Sequence, residues 1–190
     1  MMKVTALRCG GAYRFRLGPK MTALTQKRRG RVSPVRPAAR RATRGRQSYA
    51  RKLQINLASR SEQELFKWFL ACLLFGKPIQ TEIAEQAYRE LVGTGLTSAD
   101  AIVCAGWDKL VLLLDRARYV RYDFSTATKL LEVCQELTRR YGTITNLLAS
   151  ARTPSELTRK LQEFKDIGPV TARIFLRDIR PVWYGRSPGR

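Results

Sequence analysis

The residues with the most distinctive chemistry form a short glycine-containing turn at 164–172, with the sequence FKDIGPVTA. Gly168 is the one residue of this turn that takes a positive φ without steric cost, and we predict that it does so. The first amides of a helix that follows such a turn have no acceptor within the helix, and its dipole adds about half a positive charge there. A phosphate binds at such a terminus without any base being read. The predicted donors are the amides of Gly168, Val170 and Thr171 and the Thr171 hydroxyl, because Pro169 has no N–H.

Two amphipathic helices flank this turn. Before it, apolar residues recur at the spacing of one helical face, at Leu157, Leu161 and Phe164. After it, a second apolar face begins at Val170, and we predict that this helix ends before Pro181, because proline lacks the amide that a helix needs. An ordinary helical corner with a glycine cap fits the same residues, so anion binding is one of two interpretations of the turn.

The run from Leu161 to Ala172 resembles the helix-hairpin-helix of the DNA glycosylase superfamily typified by endonuclease III. A weaker similarity, including the order of the helices, extends upstream to about Ser61. The resemblance implies a hairpin that grips DNA backbone phosphate, often with a monovalent cation on its carbonyls, and this chain has no counterpart of the iron–sulfur cluster of some members. Carried over to this sequence, the DNA-binding positions are Lys165, Ile167, Gly168, Val170, Thr171 and Arg173 at the hairpin, and Lys77 in the loop after the first helix.

The catalytic residues of that family have no counterpart at their positions here. Val170 stands where bifunctional members have the lysine that forms a Schiff base, and Asp166 replaces the first hairpin glycine. The family aspartate lies well beyond the second hairpin helix, whereas Asp178, the last acidic residue, lies inside it. We interpret Asp178 as an exposed or arginine-paired helical acid and assign no catalytic residue. A truncated or degenerate C-terminus would account for the missing aspartate.

The charge distribution indicates a polyanionic partner. The 190 residues include 36 Lys and Arg against 15 Asp and Glu, which gives a formal net charge of +21. Residues 1–60 contain 17 of the cations and none of the acids, in runs of like charge without apolar periodicity. We therefore predict a mostly disordered basic arm over residues 1–58 and a helical DNA-binding domain over residues 59–190. The arm is a DNA-binding tail, an organelle transit peptide or the product of a start placed upstream of Met21.

Other catalytic and metal centres find no support in the composition. Without histidine, Ser-His-Asp and Cys-His centres and histidine-containing zinc sites are excluded. The four cysteines, Cys9, Cys72, Cys104 and Cys134, are too widely spaced for a zinc or iron–sulfur site, so we predict no metal. Cys72 and Cys134 fall on apolar faces, as expected of buried reduced thiols. No apolar run approaches the ~20 residues of a membrane-spanning helix. We expect a cytoplasmic, nucleoid-associated protein that binds double-stranded DNA and no membrane, with organelle import left open.

Helical periodicity dominates the rest of the chain. There is no strand-like alternation and no hairpin signal of the Asn-Gly type. We therefore predict an all-α protein, a compact bundle of short helices that ends in a helix-hairpin-helix. Further helices are predicted from Ser61 to Gly76, from Thr81 to Gly93, from Thr97 to Val103, from Trp107 to Leu114 beyond a break at Gly106, from Ser125 to Tyr141, and from Ile144 to Ala149.

Two functions of different classes fit these residues. One is a DNA-binding protein of the base-excision-repair type, which grips phosphate on a glycosylase-like scaffold without chemistry. The other is an active monofunctional DNA glycosylase that uses an unidentified carboxylate. A non-repair nucleic-acid-binding module, including one for RNA, is a third interpretation. The residues favour binding, because the hairpin and the basic surface are visible and the family's catalytic residues are not.

Overall fold

The computed structural model describes residues 48–185, which are helical apart from short connections. This range contains no β-strand, and its eight α-helices form a compact bundle, so the predicted all-α class is confirmed. None of these helices is long and apolar enough to cross a lipid bilayer. In chain order the elements are α1 (Tyr49–Lys52), a 3-10 helix (Leu57–Ser59), α2 (Glu62–Phe75), α3 (Thr81–Gly93), α4 (Ala99–Arg116), α5 (Asp123–Tyr141), α6 (Ile144–Ala149), α7 (Pro154–Gln162) and α8 (Pro169–Trp183).

Helix α2 lies at the centre of the bundle. Residues 68–74 are all buried, so the helix is enclosed on every side rather than along one stripe. Its neighbours are α3, α5, α6 and α8. The indole N–H of Trp68 donates to the carbonyl of Phe175 at 3.1 Å, and the rings of Phe69 and Phe175 meet edge to face with centroids 5.7 Å apart. These contacts fix α8, the second helix of the hairpin, to the centre of the core.

Two buried side chains satisfy the carbonyls in the last turn of α2. The Lys129 ammonium on α5 donates to the Leu73 carbonyl at 3.1 Å, and the Tyr119 hydroxyl donates to the Leu74 carbonyl at 2.8 Å. Helix ends leave such carbonyls without intrahelical partners, and a cation there also complements the helix dipole. The end of α2, just before Lys77, is therefore held in place by α5 and by the segment that joins α4 to α5.

The helical domain begins before residue 59, earlier than the sequence indicates. The Ser48 side chain caps α1, and its hydroxyl donates to the Asp178 carboxylate on α8 at 2.8 Å. This part of the predicted arm is ordered, and the boundary at residue 58 is wrong. The remainder of the arm, residues 1–47, lies outside the described residues. The start of the domain is hard to detect in the sequence because its buried apolar side chains are divided between a one-turn helix, a turn and a 3-10 helix. These side chains are Ala50, Leu53, Ile55 and Leu57.

Of two helix boundaries that the sequence predicts, one at a glycine and one at a proline, only the first is present. Gly106 interrupts α4 with φ 77° and ψ 169°, so the predicted break is confirmed. Pro181, in contrast, does not end α8, which continues to Trp183, and the predicted end was wrong. A proline near the end of a helix removes one internal hydrogen bond. The last turn nevertheless packs on the domain: the Trp183 ring lies 5.7 Å from the Arg60 guanidinium, and the Tyr184 hydroxyl donates to the Ala151 carbonyl.

Candidate nucleic-acid interface

The turn between α7 and α8 has its left-handed residue at Asp166, not at Gly168. Asp166 has φ 64°, whereas Gly168 is extended, with φ −82° and ψ 175°, and is the N-cap of α8. The predicted positive φ at Gly168 was therefore wrong. Aspartate tolerates the left-handed region because its short side chain bonds locally. A Cβ built on Gly168 meets no atom within 4 Å, so the fold itself does not require glycine there.

The first turn of α8 presents amides that have no internal acceptor. Its first intrahelical hydrogen bond runs from the Ala172 N–H to the Gly168 carbonyl at 3.2 Å, and no side chain caps the helix. Within residues 48–185, the N–H groups of Gly168, Val170 and Thr171 have no hydrogen-bond acceptor. Gly168 is exposed, and 45% of Val170 is accessible to solvent. The first turn also contains no acidic residue, so its geometry and dipole suit an anion.

Two predicted contact residues direct their side chains into the protein. Thr171 and Ile167 are both 3% exposed, and the Ile167 amide already donates to the Phe164 carbonyl at 3.2 Å. The Thr171 hydroxyl packs against Gly76, since a Cβ added to Gly76 would lie 2.1 Å from its oxygen. The predicted role of the Thr171 hydroxyl as a phosphate donor therefore does not fit its place in the core. Thr171 can therefore contribute only its backbone amide to the phosphate site, beside the amides of Gly168 and Val170.

The contact between Gly76 and Thr171 brings the loop after α2 to the hairpin. Lys77, the next residue, is half-buried, and its ammonium lies 5.9 Å from the centroid of the Tyr122 ring. The Arg121 guanidinium approaches the same ring at 5.4 Å. Two cations thus share one aromatic surface beside the predicted phosphate site. Arg121 was not among the predicted contacts, although the two Arg-Tyr pairs at 118–119 and 121–122 are a signal for such a cluster.

The two cations that flank the turn have different surroundings. The Lys165 ammonium bonds to the Glu132 carboxylate at 2.9 Å, and this hydrogen bond raises the pKa of Lys165. Arg173 is exposed and has no carboxylate partner among the described residues. Beyond Lys165, a cavity of about 420 Å³ is lined by three glutamates, with Arg139 as a further cation. Each of these glutamates is paired with a lysine or arginine, so the charges on the side toward α5 are balanced, whereas the side along α8 is basic.

Among the described residues, neither Val170 nor Asp178 has the place of a catalytic residue of the resembled family. The Asp178 carboxylate accepts hydrogen bonds from the Ser48 hydroxyl and from Arg177, the latter at 3.1 Å, and so anchors α1 to α8. It is paired with arginine, as one of the two interpretations held, but its side chain is only 9% exposed. Val170 offers no nucleophile. Burial raises the pKa values of the Cys72 and Cys134 thiols. Residues 48–185 contain no group of three or more His, Cys, Asp or Glu that could hold a metal ion.

In comparisons with protein-family models, curated proteins and solved structures, no match to this chain was found. The resemblance to endonuclease III-like proteins therefore depends on the hairpin residues and the order of the helices, and the relationship remains a proposal.

Proposed function

We propose that this protein binds DNA by its backbone, with a phosphate held at the hairpin between α7 and α8, as in the helix-hairpin-helix repair proteins that it resembles. The observation that carries the proposal is the exposed start of α8, where the amides of Gly168 and Val170 have no acceptor within the described residues. Peptide amides at a helix N-terminus form strong hydrogen bonds with anions, and the dipole adds to the attraction. A bound monovalent cation at the hairpin carbonyls remains part of this proposal.

Cations around the hairpin support a polyanionic ligand over a single small anion. Arg173 lies one turn into α8, and Lys77 and Arg121 lie at the neighbouring end of α2. Contacts to phosphate position a protein on DNA but carry no sequence information. We therefore expect binding that depends strongly on salt and little on sequence.

The proposal is for binding without turnover. Val170 cannot form a Schiff base, and Asp178 is engaged in holding α1 to α8. Abasic sites formed on duplexes that carry damaged bases would instead indicate a monofunctional glycosylase with a different carboxylate.

The substitution Gly168→Asp separates binding from folding. The backbone of Gly168 is extended, as at an ordinary N-cap, and there is room for a side chain. The new carboxylate would accept hydrogen bonds from the amides of Val170 or Thr171, so the stability should stay unchanged or rise by a few tenths of a kcal/mol. The same carboxylate would occupy the phosphate site. We expect the Kd for duplex DNA to rise about ten- to a hundredfold, which corresponds to the loss of one or two charge-assisted hydrogen bonds.

The matched control is Gln86→Glu, which makes the same change in net charge on the exposed face of α3. Its Kd should change by less than about threefold, because exposed charges outside an interface are screened by salt. Both variants are measured by fluorescence anisotropy with a labelled duplex and by thermal unfolding. If Gly168→Asp is folded and binds as tightly as the wild type, the hairpin is not the contact.

A further inference from the structure

A groove between α7 and α8 forms a second basic surface that starts at the hairpin. It encloses about 390 Å³, and none of the described residues that line it is acidic. We call it the arginine groove. Its polar lining consists of Ser155, Thr158 and Gln162 from α7, and Arg173, Arg177 and Arg180 from α8.

The three arginines lie along one face of α8. Their spacing of four and three residues places them in one row, while Phe175 and Ile179 on the opposite face are buried in the core. Because an α-helix rises 1.5 Å per residue, this row extends about 10 Å from the first turn of α8. The row begins next to the amides that are proposed to hold a phosphate.

Two of these cations have no internal role among the described residues. Arg177 bonds to Asp178 and lies 4.8 Å from the centroid of the Tyr49 ring, so it contributes to the packing of α1. Arg173 and Arg180 are exposed, and neither bonds to a carboxylate within residues 48–185. Like charges in a row on one helix repel each other slightly, so their placement does not favour the fold. An anionic ligand would relieve that repulsion.

The charges on the other side of the hairpin indicate on which side a bound nucleic-acid strand continues. There, three glutamates line the cavity between α5 and α7, and each is ion-paired: Glu132 with Lys165, Glu136 with Arg139, and Glu163 with Arg140. A polyanion with one phosphate at the start of α8 therefore meets cations already paired with carboxylates on that side, whereas the arginine groove attracts it. Resting on the proposed function, we propose that the arginine groove is a second phosphate-binding track, which holds the adjoining stretch of the same nucleic-acid strand. The exposed side chains of Ser155 and Gln162 supply further hydrogen-bond donors to its phosphates.

The test compares two double variants of the full chain. Arg173→Gln with Arg180→Gln removes the two free cations of the groove. Lys109→Gln with Arg116→Gln removes two exposed cations with the same seven-residue spacing on α4, which packs mainly on α3 and α5. The binding constant for duplex DNA is measured from 50 to 300 mM salt. Each lost phosphate contact should reduce the slope of log K against log salt by about 1, so the groove variant should lose about 2.

Ser155→Glu provides an independent variant that is compatible with the fold. A carboxylate in the first turn of α7 favours the helix dipole but repels phosphate in the groove. We expect weaker DNA binding with no fall in the unfolding temperature.

Each outcome decides between the proposals. A slope reduced by about 2 in the groove variant, with little change in the α4 control, supports the phosphate track. Equal reductions in both variants would mean that only net charge matters and would overturn it. An unchanged slope in the groove variant, together with weakened binding by Gly168→Asp, would overturn the track but leave the hairpin function intact. A wild-type protein that binds no nucleic acid would overturn both.

Discussion

Lys129 shows how one buried side chain links the stability of the fold to pH near the proposed interface. It is 2% exposed, and removal from water, together with the nearby charge of Lys77, lowers its pKa to about 8 from the ordinary value of 10.5. Asp166 in the hairpin acts in the opposite direction. Between the pKa of Lys129 in the folded chain, about 8, and its ordinary value of 10.5, the unfolded chain binds the proton more strongly than the folded chain. The free energy of unfolding should therefore rise with pH through this window.

We predict that this rise is absent in Lys129→Met. Between pH 7.5 and 9.5 the wild type should gain about 2 kcal/mol more than the variant, as expected for a shift of this size. Urea unfolding at several pH values measures the difference, and Lys109→Met, which alters an exposed lysine, should follow the wild type. Parallel profiles for the wild type and Lys129→Met would show that the ammonium is solvated, contrary to its burial here.

Residue-level chemistry explains which local features could be predicted from the sequence. The Ser61 and Thr153 side chains cap α2 and α7 by accepting the amides of Glu64 and Glu156, as their positions before the apolar repeats indicate. The conformation of the hairpin could not be predicted in the same way. Both Asp166 and Gly168 are compatible with a left-handed conformation, and only the structure shows that Asp166 adopts it.

At the scale of helices, the close approach of α2 and α8 sets the geometry of the interface. Gly76 lies against the Thr171 side chain, so an alanine there would place its Cβ 2.1 Å from Oγ1 if nothing moved. We predict that Gly76→Ala costs about 1–3 kcal/mol, the usual penalty for overpacking a core contact. The double variant Gly76→Ala, Thr171→Ala should recover part of this loss, because the second change removes the obstructing oxygen.

A double-mutant cycle from chemical unfolding measures that coupling. Additive free energies would mean that the two helices adjust independently. Recovery would show that the loop after α2 and the start of α8 form one unit. The sequence indicates both helices but not this contact. A glycine that only ends a helix cannot be distinguished in the sequence from one that also leaves room for a neighbouring helix.

At the scale of the whole chain, periodicity predicted the class of fold but not the limits of the domain. Helices of two or more turns repeat their apolar residues often enough to be recognised, as in α2 and α5. The segment from Ser48 to Ser59 contributes buried side chains from pieces too short to show a period. The arginine groove could not be predicted for a related reason. The row of arginines on α8 is visible in the sequence, but which residues of α7 face that row depends on how the two helices pack.

The revised start of the domain changes how the basic arm must be tested. A deletion that extends beyond residue 47 removes Ser48, which caps α1 and bonds to Asp178, and so would destabilise the fold. We predict that deletion of residues 1–47 leaves the unfolding temperature nearly unchanged and makes the salt dependence of DNA binding less steep. That stretch contains 14 Lys and Arg and no Asp or Glu, and each phosphate contact it makes contributes about 1 to the slope. A deletion to residue 53 is the informative comparison, because it should lower the unfolding temperature without a further change in slope. If deletion of residues 1–47 leaves the slope as it is in the full chain, the arm makes no phosphate contact, and the hairpin with its neighbouring cations accounts for all of the binding.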